Sequence, residues 1–141
     1  MTRQETERYA FETKGLNCAE TLLRAGIDCL GIQSNGTPSR IATCFGGGLG
    51  RCQEELCGAL AGGTMALGLA YGRDTAGDSA ETAYEAAAEF RRRFVALHGA
   101  SRCRELLEVF GEQEDWSACK RLMAEAAGLL YDLVSEVSDR T

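Results

Sequence analysis

The sequence predicts an all-α fold, a single compact helical bundle of about six helices formed by residues 1–141 as one domain. Three observations carry this expectation. No stretch alternates β-branched and polar residues over the length of a strand. Capping residues, apolar periodicity and terminating glycines recur from one end to the other. A chain of 141 residues can bury one core without disulfide staples.

Each element has its own signals. Residues 2–13 form a charged segment with aromatic residues, ended by Gly15. Asn17 opens a second helix, with Glu20 placed to complete a capping box and Leu22, Leu23 and Ile27 following; its stop is expected near Gly31. SNGTPSR reads as a loop, with Thr37 as cap and Pro38 as the first residue of a short helix. The glycine run that follows breaks the chain. A central helix is expected over residues 54–71, closed by Gly72. Its Gly58, Gly62 and Ala66 recur every four residues, a stripe that lets a neighbouring backbone approach closely. Ser79 caps a long helix through Leu97 that Gly99 stops. Ser101 opens a short helix through Val109, and Asp115 or Ser117 a last one to about Leu133.

The net charge of −6 argues against a nucleic-acid partner, because neutralising phosphates needs Lys and Arg in clustered excess. The one basic run, Arg91-Arg92-Arg93, reads as a solvated helix face paired with Glu85 and Glu89. The N-terminal stretch MTRQETERYAFETKG is too polar for a signal peptide. Residues 56–72 are uncharged but rich in Gly and Ala, and fall short of the roughly 20 apolar residues that span a bilayer. No membrane partner is therefore expected, and a cytoplasmic location is. In a reducing cytoplasm, the seven cysteines read as redox groups or metal ligands more readily than as structural disulfides.

Cys18, Cys57, Cys103 and Cys119 all fall in the first turn of an expected helix. Unpaired amide N–H groups and the positive end of the helix dipole make a thiol there easier to ionise. Cysteine is also a common core residue, and Cys29 is read that way. Cys44 and Cys52 stay ambiguous. No pair has CxxC spacing, so any site must be assembled in space by several helices.

NCAET at residues 17–21, FGGGLGR at 45–51, CGALAGGTMALGLAYG at 57–72, and the later Cys103 and Cys119 resemble the family named for the pattern C_GCAxxG_C_C, whose members are described as redox-active. In this chain Cys57 precedes Gly58 and Ala59, so the local order is Cys-Gly-Ala where the pattern reads Gly-Cys-Ala. The resemblance implies that Cys18, Cys57, Cys103 and Cys119 are the signature cysteines. It leaves Cys29, Cys44 and Cys52 unassigned.

The glycine loop has neither a phosphate-loop pattern nor a preceding strand. A backbone anion nest beside Arg51 is one reading, and a sharp turn towards another helix is the plainer one. Gly46, Gly47, Gly48, Gly50 and Arg51 are expected to line the cysteine site and let a substrate or cluster approach the backbone. His98 reads as a helix C-terminal residue, and Trp116, Tyr71 and Phe45 as packing residues.

The leading expectation is a cytosolic thiol redox protein that works by dithiol–disulfide exchange or electron transfer, with Cys57 as the attacking thiol and a redox partner or small-molecule substrate. The alternative is a metal-binding module, with the same four thiolates holding an iron–sulfur cluster or zinc. A third reading is a helical interaction module in which the Gly/Ala face forms a homodimer.

Overall fold

Two capping boxes set the first helices. Thr2 accepts from the Glu5 amide at 3.1 Å, and the Glu5 carboxylate accepts from the Thr2 amide at 2.7 Å, opening α1 (Arg3–Glu12). Asn17 and Glu20 exchange the same two bonds, both at 2.9 Å, to open α2 (Cys18–Cys29). The computed structural model describes residues 1–36 and 39–140. After α2 come a 3₁₀ helix (Ser39–Phe45), α3 (Gly58–Tyr71), α4 (Glu81–His98), α5 (Cys103–Phe110) and α6 (Ser117–Arg140). The fold is compact and all-α, as expected, with no strand among the described residues. The expected cap at Thr37 and helix start at Pro38 lie outside the described residues. Among those described, no helix is long and apolar enough to cross a membrane.

Two boundaries differ from expectation for physical reasons. The central helix begins at Gly58 and not at Glu54, because the chain before it pairs with another segment. The Cys57 amide donates to Ser101 (2.7 Å), the Cys103 amide to Glu55 (3.0 Å) and the Arg104 amide to Gln53 (2.8 Å), with Leu56 opposite Arg102 in an antiparallel bridge. The last helix runs on past Leu133 because its apolar face continues through buried Val137. Elsewhere the signals act close to where they were read. Ser79 lies one residue before the cap of α4, Ala80, and accepts from the Glu81 amide at 3.3 Å; Gly99 stops α4 with a left-handed φ of 86°.

The centre of the bundle is α3. It has no polar face, which suits a helix surrounded by others, and it packs against α2, α4, α6 and the 3₁₀ helix. Its small residues face inward. A Cβ at Gly62 would meet the Ala19 carbonyl oxygen, one at Gly58 would meet the Cys18 sulfur, and one at Gly26 of α2 would lie 2.6 Å from the Ala66 Cβ. On another side, Phe90 of α4 lies over Gly63, 2.5 Å from where a Cβ would stand. The small-residue face offered above as a surface for a second copy is thus occupied by α2 of the same chain. Around α3, Leu22, Leu23, Leu60, Leu67, Phe90, Phe94, Leu130 and Leu133 fill the core. Arg93 joins α4 to α6, reaching Glu136 at 2.7 Å and its own helix's Glu89 at 2.6 Å.

These glycines predict opposite responses to one substitution. Gly62→Ala gains helix propensity but forces a methyl onto backbone that cannot yield, and is expected to cost about 1–3 kcal/mol. Gly68 has open space where a Cβ would stand, so Gly68→Ala should stabilise by about 0.5–1 kcal/mol. Urea denaturation of the two variants reads the contrast, and equal shifts would contradict the close approach of α2 and α3.

Candidate functional site: a cysteine cluster at four helix starts

The backbone pairing between residues 53–57 and 101–104 sets two cysteines beside each other. Cys57 is the residue on which α3 starts, and Cys103 is the first residue of α5. The close packing of α2 on α3 brings Cys18, first in α2, against Gly58. Cys119 sits in the first turn of α6, held by Gln113. The Cys119 amide donates to Gln113 Oε1 at 2.9 Å, and Gln113 Nε2 donates to the Cys119 sulfur at 3.3 Å.

Burial and mutual repulsion both act on these thiols. Burial pushes the Cys57 thiol up to about 12, and the adjacent Cys18 adds to this; the amides of Ala59 and Leu60 pull the other way without prevailing. Burial also raises Cys103, with Cys18, Cys119 and Cys52 as further contributors. It raises Cys119 as well, against the Gln113 hydrogen bond and with Cys18 adding to the rise. Cys18 is therefore the one thiol whose charge acts on all of the other three.

A helix start does not make the Cys57 thiol easier to ionise. Amide donors do meet the Cys57 sulfur, but desolvation outweighs them in so closed a place. Cys57 is only 7% exposed, whereas Cys18, Cys103 and Cys119 are half-buried. The thiol chosen above as attacking nucleophile is thus the least accessible of the four. All seven cysteines are free thiols.

The glycine loop lies against this cluster in part. A Cβ at Gly46 would strike Asn17, the cap of α2, and one at Gly48 would lie 2.5 Å from the Cys103 Cβ. Gly47 turns back on Arg51 of its own loop, while Gly50 faces open space and Arg51 is exposed. Of the five expected lining residues, Gly46 and Gly48 touch residues of the site and the other three shape the turn. The turn is left-handed throughout, with φ of 63° at Gly47, 68° at Gly48, 74° at Leu49, 57° at Gly50 and 63° at Arg51. Leu49 and Arg51 bear Cβ atoms in a region where only glycine is at ease.

Among the described residues, no three Cys, His, Asp or Glu side chains are grouped to hold a metal ion. The thiolate-bound iron–sulfur cluster or zinc expected as an alternative has no formed ligand set among the described residues. Cys29 is buried at the far end of α2, where desolvation raises it to about 11, in keeping with a core residue. Cys44 is exposed. Trp116, expected to pack, stands 61% exposed. His98 ends α4 as expected, its ring edge-on to Phe94 and its Nδ1 3.9 Å from Glu125.

Two residues at the cysteine cluster carry no clear signal in the sequence. Gln113 lies in the segment before α6 and bears no motif; a glutamine six residues before a helix-start cysteine is a weak signal. Cys52, ambiguous from the sequence, is hydrogen-bonded to Gly48, the residue that lies against Cys103.

Two predictions follow from these environments. A thiol whose folded pKa is raised leaves stability intact below its unfolded value, and that stability is lost as pH climbs through the folded value. For Cys57 the window runs from the ordinary 9.0 to about 12. The urea midpoint should therefore fall steadily across that range, by up to a few kcal/mol of stability. A flat midpoint would contradict the burial of neutral Cys57. Separately, Gln113→Ala is expected to cost about 1 kcal/mol and to slow alkylation of Cys119, whose thiolate loses its N–H donor. Unchanged alkylation would remove Gln113 from the site.

The family described as "Putative redox-active protein (C_GCAxxG_C_C)" matches residues 16–133. No curated protein and no solved structure matches the chain. The matched stretch takes in all four helix-start cysteines, the glycine loop and the small-residue helix, and the chain belongs to the C_GCAxxG_C_C family.

Proposed function

We propose that this single-domain chain is a thiol redox protein of a reducing cytoplasm, working by thiol–disulfide exchange at Cys18, Cys57, Cys103 and Cys119. The observation that supports this most is the approach of Cys18 to the start of α3, where a Cβ at Gly58 would strike its sulfur and from where its charge acts on Cys57, Cys103 and Cys119.

Of these four, the half-buried thiols of Cys18, Cys103 and Cys119 are the ones a substrate disulfide can reach. A thiolate attacks one sulfur of that disulfide, forming a mixed disulfide and expelling the first substrate thiolate. A neighbouring cysteine then attacks the protein-side sulfur of the mixed disulfide and expels the second. The substrate gains two electrons, the protein loses two by forming one internal disulfide, and the two cysteine protons pass through solvent to the leaving thiolates. A dithiol reductant runs the same exchange backwards to restore the protein. Buried Cys57, held as a neutral thiol, suits the resolving role and not the first attack.

Oxidation of the full chain with glutathione disulfide, followed by alkylation and peptide mapping, tests this reading. The reduced protein should count seven thiols and the oxidised one five, with Cys18 in the new disulfide. Cys18→Ser should abolish that crosslink, while Cys44→Ser should leave it intact. A count that stays at seven after oxidation overturns the proposal.

A further inference from the structure

Cys52 stands outside the family's cysteine pattern, yet it occupies the outer edge of the cysteine site. It is exposed, on the far limb of the left-handed loop. Its thiol donates to the Gly48 carbonyl at 3.2 Å, and its sulfur accepts from the Glu54 amide at 3.5 Å. Gly48 is also the residue pressed against Cys103, with no room for a Cβ between them. One glycine therefore holds the Cys52 thiol with its carbonyl and admits Cys103 at its missing side chain. The segment is fixed in this register, since the next residue, Gln53, accepts from the Arg104 amide at 2.8 Å and Glu55 accepts from the Cys103 amide at 3.0 Å. The cysteines so ordered grade from exposed Cys52, through half-buried Cys103 and Cys18, to buried Cys57.

We propose that Cys52 is the outermost thiol of a relay, meeting an incoming disulfide at the surface and passing it to Cys103. This rests on the thiol–disulfide reading of the inner four cysteines. In the first step the Cys52 thiolate attacks the incoming disulfide, and one substrate thiolate leaves. Cys103 then attacks the Cys52 sulfur, forming a Cys52–Cys103 disulfide and expelling the second substrate thiolate. Cys18 attacks the Cys103 sulfur, forming Cys18–Cys103 and returning Cys52 to a thiol. The substrate disulfide is reduced to two thiols and one pair of inner cysteines is oxidised. Cys52 ends unchanged, and the two protons from Cys18 and Cys103 balance the two leaving thiolates. The left-handed loop accounts for the geometry, as it turns the chain back so that residues four apart, Gly48 and Cys52, share a hydrogen bond.

The test uses the full-length reduced protein with glutathione disulfide, quenched over time by alkylation and mapped by mass spectrometry. Cys103→Ser should trap glutathione on Cys52. Cys52→Ser, an exposed change whose folding circular dichroism checks, should slow formation of the inner disulfide at least tenfold. Cys44→Ser, an equally exposed thiol, serves as control and should react at the wild-type rate. If Cys52→Ser oxidises its inner cysteines as fast as the wild type, the relay is overturned while the inner-site reading stands. If no disulfide forms among Cys18, Cys57, Cys103 and Cys119 in the wild type, both are overturned, whatever glutathione Cys52 carries.

Discussion

The cysteine cluster depends on how closely the backbones of α2 and α3 approach. At Gly62 there is no space even for a methyl group beside the Ala19 carbonyl, and at Gly58 none beside the Cys18 sulfur. Backbone cannot move aside as a side chain can, so Gly62 sets the distance between the helices, and at Gly58 the Ala19 amide nitrogen, 3.1 Å from where a Cβ would stand, keeps the same spacing. One turn away, Gly26 and Ala66 repeat the arrangement from the other side. The helix propensity given up at each glycine, about 1 kcal/mol, is the cost of bringing the start of α2 against the start of α3. A wider spacing would carry Cys18 away from the start of α3 and from Cys57.

Helix starts and burial act on these thiols in opposite directions, and the outcome differs from one to the next. Amide donors favour a thiolate, while loss of water disfavours it. At Cys57 the bundle closes over the sulfur and burial prevails, holding the group neutral. At Cys119 a side-chain donor from Gln113 offsets part of the same penalty. Each added thiolate would also repel its neighbours, so the cluster favours a single charge at a time. That suits exchange chemistry, in which one thiolate attacks while the next cysteine waits as a thiol.

The glycine loop links this interior to the surface. Its run of left-handed residues includes Leu49 and Arg51, which gain nothing locally from that conformation. The compensation comes from hydrogen bonds that close the turn, among them Gly50 to Cys44 at 2.7 Å and Gln53 to Gly47 at 2.9 Å. So closed, the loop lays Gly46 on the cap of α2 and Gly48 on Cys103, and delivers the following residues to the antiparallel pairing with the start of α5.

Much of this was determined by local sequence. The Asn17–Glu20 capping box, the stop at Gly99, the all-α class and the helix-start positions of Cys18, Cys103 and Cys119 are short-range features, legible because each rests on residues a few positions apart. The small-residue stripe announced a close helix contact but not its occupant, and α2 of the same chain took the place offered to a second copy. Tertiary structure alone decided the start of α3, because hydrogen bonds from residues 101–104 hold Glu55 and its neighbours extended despite their helical composition. It also decided the rank of the cysteines. Desolvation depends on what the whole chain packs around a sulfur, so nothing near Cys57 in sequence marks it as buried, and nothing near Cys52 marks it as the neighbour of Cys103.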